Sequence, residues 1–254
     1  MIHAAIHVGI SLILVVVAII VSRRQSLKLQ SDLVIATVRA LIQLLAVAAV
    51  IQLIFSSLGL SAAALCMMLG AASWTAGRRL KGVPRGHWLA AASISLAAGT
   101  ALVVLFAGRV FPLTPRYVIP IAGMLIGNCM TATSVSGVRF KEELIDKNLE
   151  LEARLALGLR AKQALTTYTR RATTIALIPT IDATKNVGLI LLPGAFVGTI
   201  LGGGSPFRAA QIQLIVLFML LGAVSLASMM TTILLSRVFI GPGERVILPE
   251  LVRP

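Results

Sequence analysis

Residues 40–77 read ALIQLLAVAAVIQLIFSSLGLSAAALCMMLGAASWTAG, and this stretch decides the fold. None of its 38 residues is charged. A bilayer core of about 30 Å is crossed by roughly 20 apolar residues in an α-helix, so the stretch is too long for one span and suits two. Ser56-Ser57-Leu58-Gly59 supplies the turn between them. The stretch therefore predicts a helical hairpin that crosses a membrane twice.

Further uncharged runs extend this pattern along the whole chain. They cover 1–22, 86–108, 117–138, 186–207 and 209–236. Together with the hairpin they predict an all-α integral membrane protein of about seven transmembrane helices, forming one domain over 1–254. The run at 186–207 follows an apolar stretch that Asp182 and Lys185 interrupt. Residues 173–201 could therefore form one continuous span or a broken one.

The overall composition agrees with a membrane protein. Of the 254 residues, 57% are hydrophobic and only 13% are charged, and the mean hydropathy is +0.95. A soluble domain carries about 25% charged residues. This excludes a cytosolic enzyme, a disulfide scaffold and a disordered tail. Cys66 and Cys129 both fall in apolar runs, which predicts buried thiols rather than a disulfide.

The basic residues predict how the chain is oriented. Lys and Arg number 23 against 9 acidic residues, giving a net charge of +14. They alternate between rich and poor loops, which by the positive-inside rule places the N-terminus outside and the C-terminus inside. This distribution along membrane edges argues against nucleic acid as a partner. The rich segments carry Arg23, Arg24 and Lys28; Arg78, Arg79, Lys81 and Arg85; eight cations within 137–172; and Arg237, Arg245 and Arg253.

Residues 137–172 form the one long polar segment, with 5 of the 9 acidic and 8 of the 23 basic residues. Leu144, Leu151, Leu155 and Leu159 recur at helical spacing. The segment predicts an amphipathic cytoplasmic helix or helix pair between spans five and six. It could be a solvated connector on the membrane surface or a docking element for a soluble partner.

Within this segment, residues 152–158 read EARLALG. This resembles the EAA loop of ABC-transporter permeases, Glu-Ala-Ala-x-x-x-Gly, a cytoplasmic coupling helix that fits a groove in the ATP-binding subunit. The resemblance implies that Glu152, Ala153, Arg154 and Gly158 dock an ATPase. Arg154 departs from the pattern, since it stands where the family has its second Ala.

Three longer motifs are PRYVIPIAGMLIGNCMT at 115–131, VGLILLPGAFVGTILGGGSP at 187–206 and RALIQL at 39–44. They resemble the Fet-type permease family, which includes bacterial iron-export permeases and plant permeases linked to aluminium tolerance. The similarity covers nearly the whole chain. A small departure is Ala195-Phe196, where the family commonly has Met residues. If those methionines contact the substrate in the family, the resemblance does not extend that contact to this chain.

This resemblance implies a permease subunit rather than an enzyme. Two copies would form a pathway through the cytoplasmic (inner) membrane together with two ABC ATP-binding subunits. No cofactor is expected in this chain, because ATP and Mg²⁺ would bind to the partner ATPase. The resemblance suggests export of metal ions, with iron first, but does not fix the substrate.

Polar residues inside the spans are candidates for the transport pathway, because a charge at the bilayer centre costs at least about 2.5–3.5 kcal/mol. Arg39 and Gln43 share a face of span two. Arg39 could pair with Asp32 or reach the headgroups, or it could act as a pathway residue.

Two further groups of polar residues lie in spans five and six. In span five, Asn128 stands near Met124 and Thr131, and could line the pathway or bond a neighbouring helix. Asp182 and Lys185 could form an intrahelical ion pair or belong to an unwound stretch beside the pathway.

Absent motifs narrow the function further. The sequence has no Gly-x4-Gly-Lys-Ser/Thr loop for ATP and no His-Glu-x-x-His pair. His3 and His7 share a helix face, which suits interfacial placement or an external metal contact. No metal-ligand cluster is visible, so the metal ligands stay unknown. Two rival functions remain, an ion- or proton-coupled secondary transporter and a non-transporting scaffold that recruits a partner.

Overall fold

The computed structural model describes residues 2–27, 29–241, 243 and 246, and the side chains from residue 7 onward. Lys28, Arg245, Arg253 and the side chain of His3 lie outside this description. The described residues form helices and two isolated β-bridges, with no strand. This confirms the predicted all-α class. The chain divides into two compact units, Met1–Leu60 and Ser61–Pro254.

The first unit is a pair of helices that contact each other, α1 (Ile2–Arg24) and α2 (Gln30–Ser56). Arg23 and Arg24 occupy the last turn of α1, where cations are favoured by the helix dipole. No residue of α2 is buried, although the helix is strongly apolar. Both helices are long and apolar enough to cross a membrane.

Helix α3 (Leu58–Arg79) begins two residues after α2 ends, which confirms the predicted turn at Ser57. The second unit contains most of α3 and the remaining helices. These are α4 (Gly86–Ala107), α5 (Pro115–Asp146), α6 (Asn148–Ala156), α7 (Ala161–Lys185), α8 (Gly194–Leu201) and α9 (Pro206–Val238).

Helix α9 is the centre of the second unit, since it contacts α4, α5, α7 and α8. Helix α5 packs against α4, α7 and α9. At 32 and 33 residues, α5 and α9 are each about 50 Å long and exceed the bilayer core. Small side chains that are fully buried allow the helices to approach closely; they include Ala76, Ala90, Ala97, Ala122, Cys129, Ala172 and Ala227.

Six helices are long and apolar enough to span a membrane: α1, α2, α3, α4, α5 and α9. Each matches one of the seven predicted runs. The predicted sixth span is instead broken. Helix α7 ends at Lys185, residues 186–193 are irregular, and α8 has only eight residues. Such a helix is about 12 Å long and cannot cross the bilayer core alone.

The break in this span follows from local chemistry. The Asn186 side chain donates to the carbonyl of Asp182 at 2.9 Å and closes the last turn of α7. Pro193 lacks a backbone N–H and disfavours helix at the residue before it. Gly203 follows α8 with φ +84, a left-handed conformation that favours glycine. The prediction that both cysteines are buried is right for Cys129 and wrong for Cys66, which is exposed.

Candidate coupling helix and membrane pathway

The EAA-like residues lie on α6 and on the turn that follows it. Helix α6 buries Leu151, and Glu150 stands in its first turn, where the helix dipole favours an acid. After α6 the backbone N–H of Gly158 donates to the carbonyl of Leu155 at 2.9 Å. Gly158 has φ +86, so a residue with a Cβ would be strained there. This turn reverses the chain toward α7, and the predicted helix pair is present.

Arg154 points toward α7 rather than outward. Its guanidinium donates to Glu150 Oε1 at 2.7 Å and to Thr167 Oγ1 at 3.1 Å. It also lies 5.6 Å from the centre of the Tyr168 ring, a cation–π arrangement. Tyr168 is fully buried, and this burial raises its pKa. Arg154 therefore fastens α6 to α7, which gives a physical role to the residue that departs from the EAA pattern.

The opposite face of α6 is exposed. It carries Leu149, Glu152, Ala153, Ala156 and Leu157, spaced as one side of a helix. The two leucines are 75% and 82% exposed. Glu152 has no ion pair within the described part of the chain. The sequence named Glu152 and Ala153 on this face but missed the two leucines, although their spacing from Ala153 could have indicated them.

The candidate pathway residues of α5 form an exposed stripe at i, i+4 and i+7: Met124, Asn128 and Thr131. Asn128 Nδ2 donates to the Met124 carbonyl at 2.8 Å, and Thr131 Oγ1 donates to Gly127 at 3.2 Å. Both side chains thus bond their own helix. Across the described residues of this single chain Asn128 makes no interhelical bond, and its side chain lies in the exposed stripe.

Asp182 and Lys185 lie in the last turn of α7, both exposed. The suggested ion pair between them does not form, since the ion pairs of the described residues all lie between Arg139 and Arg171. Neither residue belongs to the unwound stretch, which begins at Asn186. The irregular segment at 186–193 therefore begins directly after two exposed charged residues that form no ion pair among the described residues.

In the first unit, Arg39 and Gln43 are exposed on α2 and border a shallow groove with Val38 and Ile42. Within the described residues Arg39 forms no ion pair with Asp32. The pairing proposed from the sequence is therefore absent. Arg39 remains either a residue that reaches the headgroups or a pathway candidate.

The sequence reasoning missed a set of hydroxyls that join the helices of the second unit. Thr231 Oγ1 on α9 donates to Thr133 Oγ1 on α5 at 3.2 Å. The hydroxyls of Thr173 on α7 and Thr232 on α9 lie 3.1 Å apart. Such bonds hold membrane helices together where no water competes. Two adjacent threonines inside the apolar run at 209–236 were the signal that could have revealed them.

No resident metal site is evident in the part of the chain that the structure describes, since it holds no group of three or more His, Cys, Asp or Glu side chains placed to bind one ion. The exposed stripe of α5 offers amide and hydroxyl oxygens and a thioether. Oxygen ligands suit hard cations and the thioether suits soft ones. These groups could contact a passing ion without forming a permanent site.

Comparison with known proteins places these features in a family. A family model described as the uncharacterised protein family UPF0014 matches residues 5–240. The membrane protein STAR2 of Oryza sativa subsp. japonica is 42% identical over 87% of this chain and 78% of its own length. The protein ALUMINUM SENSITIVE 3 of Arabidopsis thaliana is 39% identical over 88% of this chain and 83% of its own.

A bacterial relative spans almost the entire chain. The protein named probable iron export permease protein FetB of Escherichia coli (strain K12) is 34% identical over 96% of this chain and 95% of its own length. No solved structure matches the chain. The Fet-type resemblance seen in the motifs is thus confirmed, and the chain belongs to the UPF0014 family of multi-pass membrane proteins.

Proposed function

We propose that this chain is the permease subunit of an ATP-driven transporter that exports metal ions, iron first, across the cytoplasmic membrane. The name of the bacterial relative supports a permease and suggests iron. The observation that carries the coupling to ATP is the exposed face of α6. ATP and Mg²⁺ bind to a separate ABC ATPase, and this chain supplies the pathway and the docking helix.

The chemistry of the α6 face suits a protein partner. Two exposed leucines and two alanines flank a single carboxylate, Glu152. Exposed apolar patches rimmed by polar groups mark interaction sites. Alanine permits close approach, and Glu152 offers a charge for a basic residue of the ATPase. The contacts of Arg154 with Thr167 and Tyr168 join α6 to α7, so that a movement of the ATPase would be passed to α7.

The α5 stripe supports a homodimer. Asn128 and Thr131 are exposed on a helix long enough to span a membrane, and polar side chains facing lipid are costly. A second copy of this chain would cover the stripe and enclose a polar route between the two α5 helices. Alternating access then follows from the rocking of the helices that α6 drives.

Transport by sealed vesicles tests this function. We would reconstitute the chain with the ATPase encoded beside it and measure Fe²⁺ movement with and without ATP. The proposal expects ATP-dependent transport, loss of transport in Asn128→Leu, and retained transport in Thr100→Leu. Thr100 is a matched control because it is an exposed polar residue on α4 that also bonds its own helix. Unchanged transport in Asn128→Leu would remove the stripe from the pathway.

The same assay separates the rival functions. Transport that persists without ATP would indicate an ion-coupled secondary transporter, for which the unpaired Asp182 and Lys185 are the coupling candidates. In that case Asp182→Asn should abolish ion dependence. No transport of any metal tested, with an intact ATPase complex, would indicate a scaffold.

A further inference from the structure

The turn between α3 and α4 gathers charge and aromatic residues in a short segment. Residues 74–88 read WTAGRRLKGVPRGHW and contain both tryptophans of the chain. Arg78, Arg79, Lys81 and Arg85 are all exposed. A cavity of about 330 Å³ lies in this turn, bordered by Trp74, Arg78, Lys81, Val83 and His87. Small-molecule sites begin at about 300 Å³, so the cavity can hold a headgroup-sized ligand.

The four cations of this turn have no carboxylate partner in the part of the chain that the structure describes. None of the ion pairs of the described residues involves them, and no acidic residue occurs in the sequence between Asp32 and Glu142. A fifth cation joins them, since Lys141 Nζ of α5 donates to the Lys81 carbonyl at 2.6 Å. Glu142, which follows Lys141 in the sequence, is already held by Arg139 at 2.8 Å. Among the described residues, the positive charge of the turn is therefore uncompensated.

The order of residues along the helices matches a membrane interface. Trp74 precedes Arg78 by one turn in α3, and Trp88 follows Arg85 by about one turn in α4. The tryptophans thus lie toward the spans and the cations toward the turn. Both indoles are exposed, at 62% and 77%. Tryptophan favours the headgroup level of a bilayer, where an apolar ring and an N–H are both satisfied.

The depth of the turn is fixed by its contact with α5. Lys141 meets the turn on α5, and α6 begins seven residues later at Asn148. At 1.5 Å per residue this contact lies about 10 Å along α5 from the start of α6, on the side of the uncharged run at 117–138. If that run spans the membrane, a protein partner docked on α6 would lie beyond the turn, and the turn would face the layer of lipid headgroups.

The turn is also rigid. Leu80 is 1% exposed and lies against Gly137 of α5 so closely that a Cβ at Gly137 would overlap it. A Cβ at Gly77 would meet the ring and backbone of His87, so α3 and α4 approach closely there. The imidazole of His87 in turn packs on Trp74, with ring centres 4.9 Å apart. The basic side chains thus project from a backbone that is held in place by the packing of α3, α4 and α5.

We propose that this turn binds the headgroup of an anionic phospholipid. The phosphodiester is held by Arg78 and Lys81 beside the cavity, and the acyl chains lie along Trp74 and Trp88. Arginine forks and lysine charges suit phosphate oxygens, and basic pockets at the membrane face recognise anionic lipid headgroups. The site is separate from the pathway stripe and from α6, and it does not depend on the transported substrate.

The two tryptophans provide the test, because no other residue of the chain contributes indole fluorescence. We would reconstitute the chain in phosphatidylcholine with increasing brominated phosphatidylglycerol and measure quenching. A charge near the surface contributes about fivefold in anionic lipid binding, so the two cations that hold the phosphodiester should together give a preference for phosphatidylglycerol of about 25-fold. Arg78→Gln with Lys81→Gln should remove most of this preference.

Matched controls make the result specific. Arg109→Gln with Arg116→Gln removes the same charge from the α4–α5 loop and should keep the preference. Arg78→Lys keeps the charge and should also retain it. If the double variant fails to fold, the single variants Arg78→Gln and Lys81→Gln should each lose about fivefold. A wild-type chain without preference, or an equal loss in the α4–α5 control, would overturn the proposal.

A competition experiment identifies the source of the phosphate. Inorganic phosphate is added to wild-type vesicles at the ionic strength of a chloride control. The proposal expects brominated phosphatidylglycerol to quench the tryptophan fluorescence equally in the phosphate sample and in the chloride control. Displacement of phosphatidylglycerol by phosphate beyond the chloride control would instead identify a site for the free anion and contradict the lipid assignment.

Discussion

Two basic segments of this chain carry the same orientation signal and differ in what surrounds their charges. In the α5–α7 segment, Arg139, Arg154 and Arg171 pair with Glu142, Glu150 and Glu143. In the α3–α4 turn no cation has a described carboxylate partner. The positive-inside rule counts charges and treats both segments alike. Among the described residues, the α5–α7 segment pairs part of its positive charge with carboxylates, whereas the cations of the α3–α4 turn form no such pairs and are exposed.

The anchor of the turn gives the largest expected effect. Leu80→Ala removes a buried side chain from its contact with Gly137, and such truncations cost about 2–5 kcal/mol. We expect a clear fall in the unfolding temperature in detergent and loss of the lipid preference. Leu149→Ala, at an exposed leucine, should leave both unchanged. A turn that keeps its lipid preference after Leu80→Ala would show that its charges need no fixed frame.

The close approach of α3 and α4 is the next point to disturb. Gly77→Ala places a methyl group against His87 and forces the hairpin apart, and overpacking of this kind costs about 1–3 kcal/mol. We expect a lower unfolding temperature and blue- or red-shifted tryptophan emission, because Trp74 packs on His87. Gly99→Ala has open space around the new Cβ and serves as the control. Identical emission in Gly77→Ala would argue that the Trp74–His87 contact does not depend on this spacing.

Arg154→Ala tests the paired segment. It removes the ion pair with Glu150, the bond to Thr167 and the contact with Tyr168, which together amount to roughly 1 kcal/mol. Amides of α6 should exchange with solvent about five- to tenfold faster, while those of α9 do not change. Lys162→Ala, whose side chain is exposed and unpaired, should leave α6 protected. Unaltered exchange in Arg154→Ala would show that Leu151 alone holds α6.

The smallest effect is expected at Glu143. Glu143→Gln leaves Arg171 unpaired, and this pair is 3.5 Å long with Arg171 half exposed. Exposed pairs contribute about 0–1 kcal/mol, so stability should change by less than about 0.5 kcal/mol. Thermal unfolding of the detergent-solubilised protein checks this. A larger loss of stability would mean that the ion pairs of the α5–α7 segment stabilise one another. The α5–α7 segment would then differ even more from the α3–α4 turn, where no such pairs are described.

The sequence was sufficient to predict those helices whose presence depends on a single property of the chain. Charge-free length predicted the six single-helix spans, and helical spacing predicted the pair α6–α7. Whether residues 173–201 form a continuous or a broken span was left open, because hydropathy does not register how Asn186 and Pro193 end helices. Sequence composition could likewise not tell that Cys66 lies on an exposed face.

Side-chain partners were harder to predict than helices. The pairs Arg39–Asp32 and Asp182–Lys185 were plausible by spacing and do not form in the described residues. Arg154 was expected on the docking face and instead points toward α7. Which way a side chain turns depends on the neighbouring helix, and the identity of that neighbour is set by tertiary packing that a spacing rule does not contain.

Docking through α6 is the central claim, and co-purification tests it most directly. The tagged chain would be expressed with a candidate ABC ATP-binding subunit from the same organism, solubilised gently and purified through its tag. The experiment would compare wild type, Glu152→Lys and Asp32→Lys. The two variants make the same charge change, but Asp32 lies in the first turn of α2 and does not belong to the proposed docking face. The account predicts that the ATPase elutes with wild type and Asp32→Lys and is lost from Glu152→Lys. An ATPase that stays bound to Glu152→Lys as firmly as to wild type would contradict it.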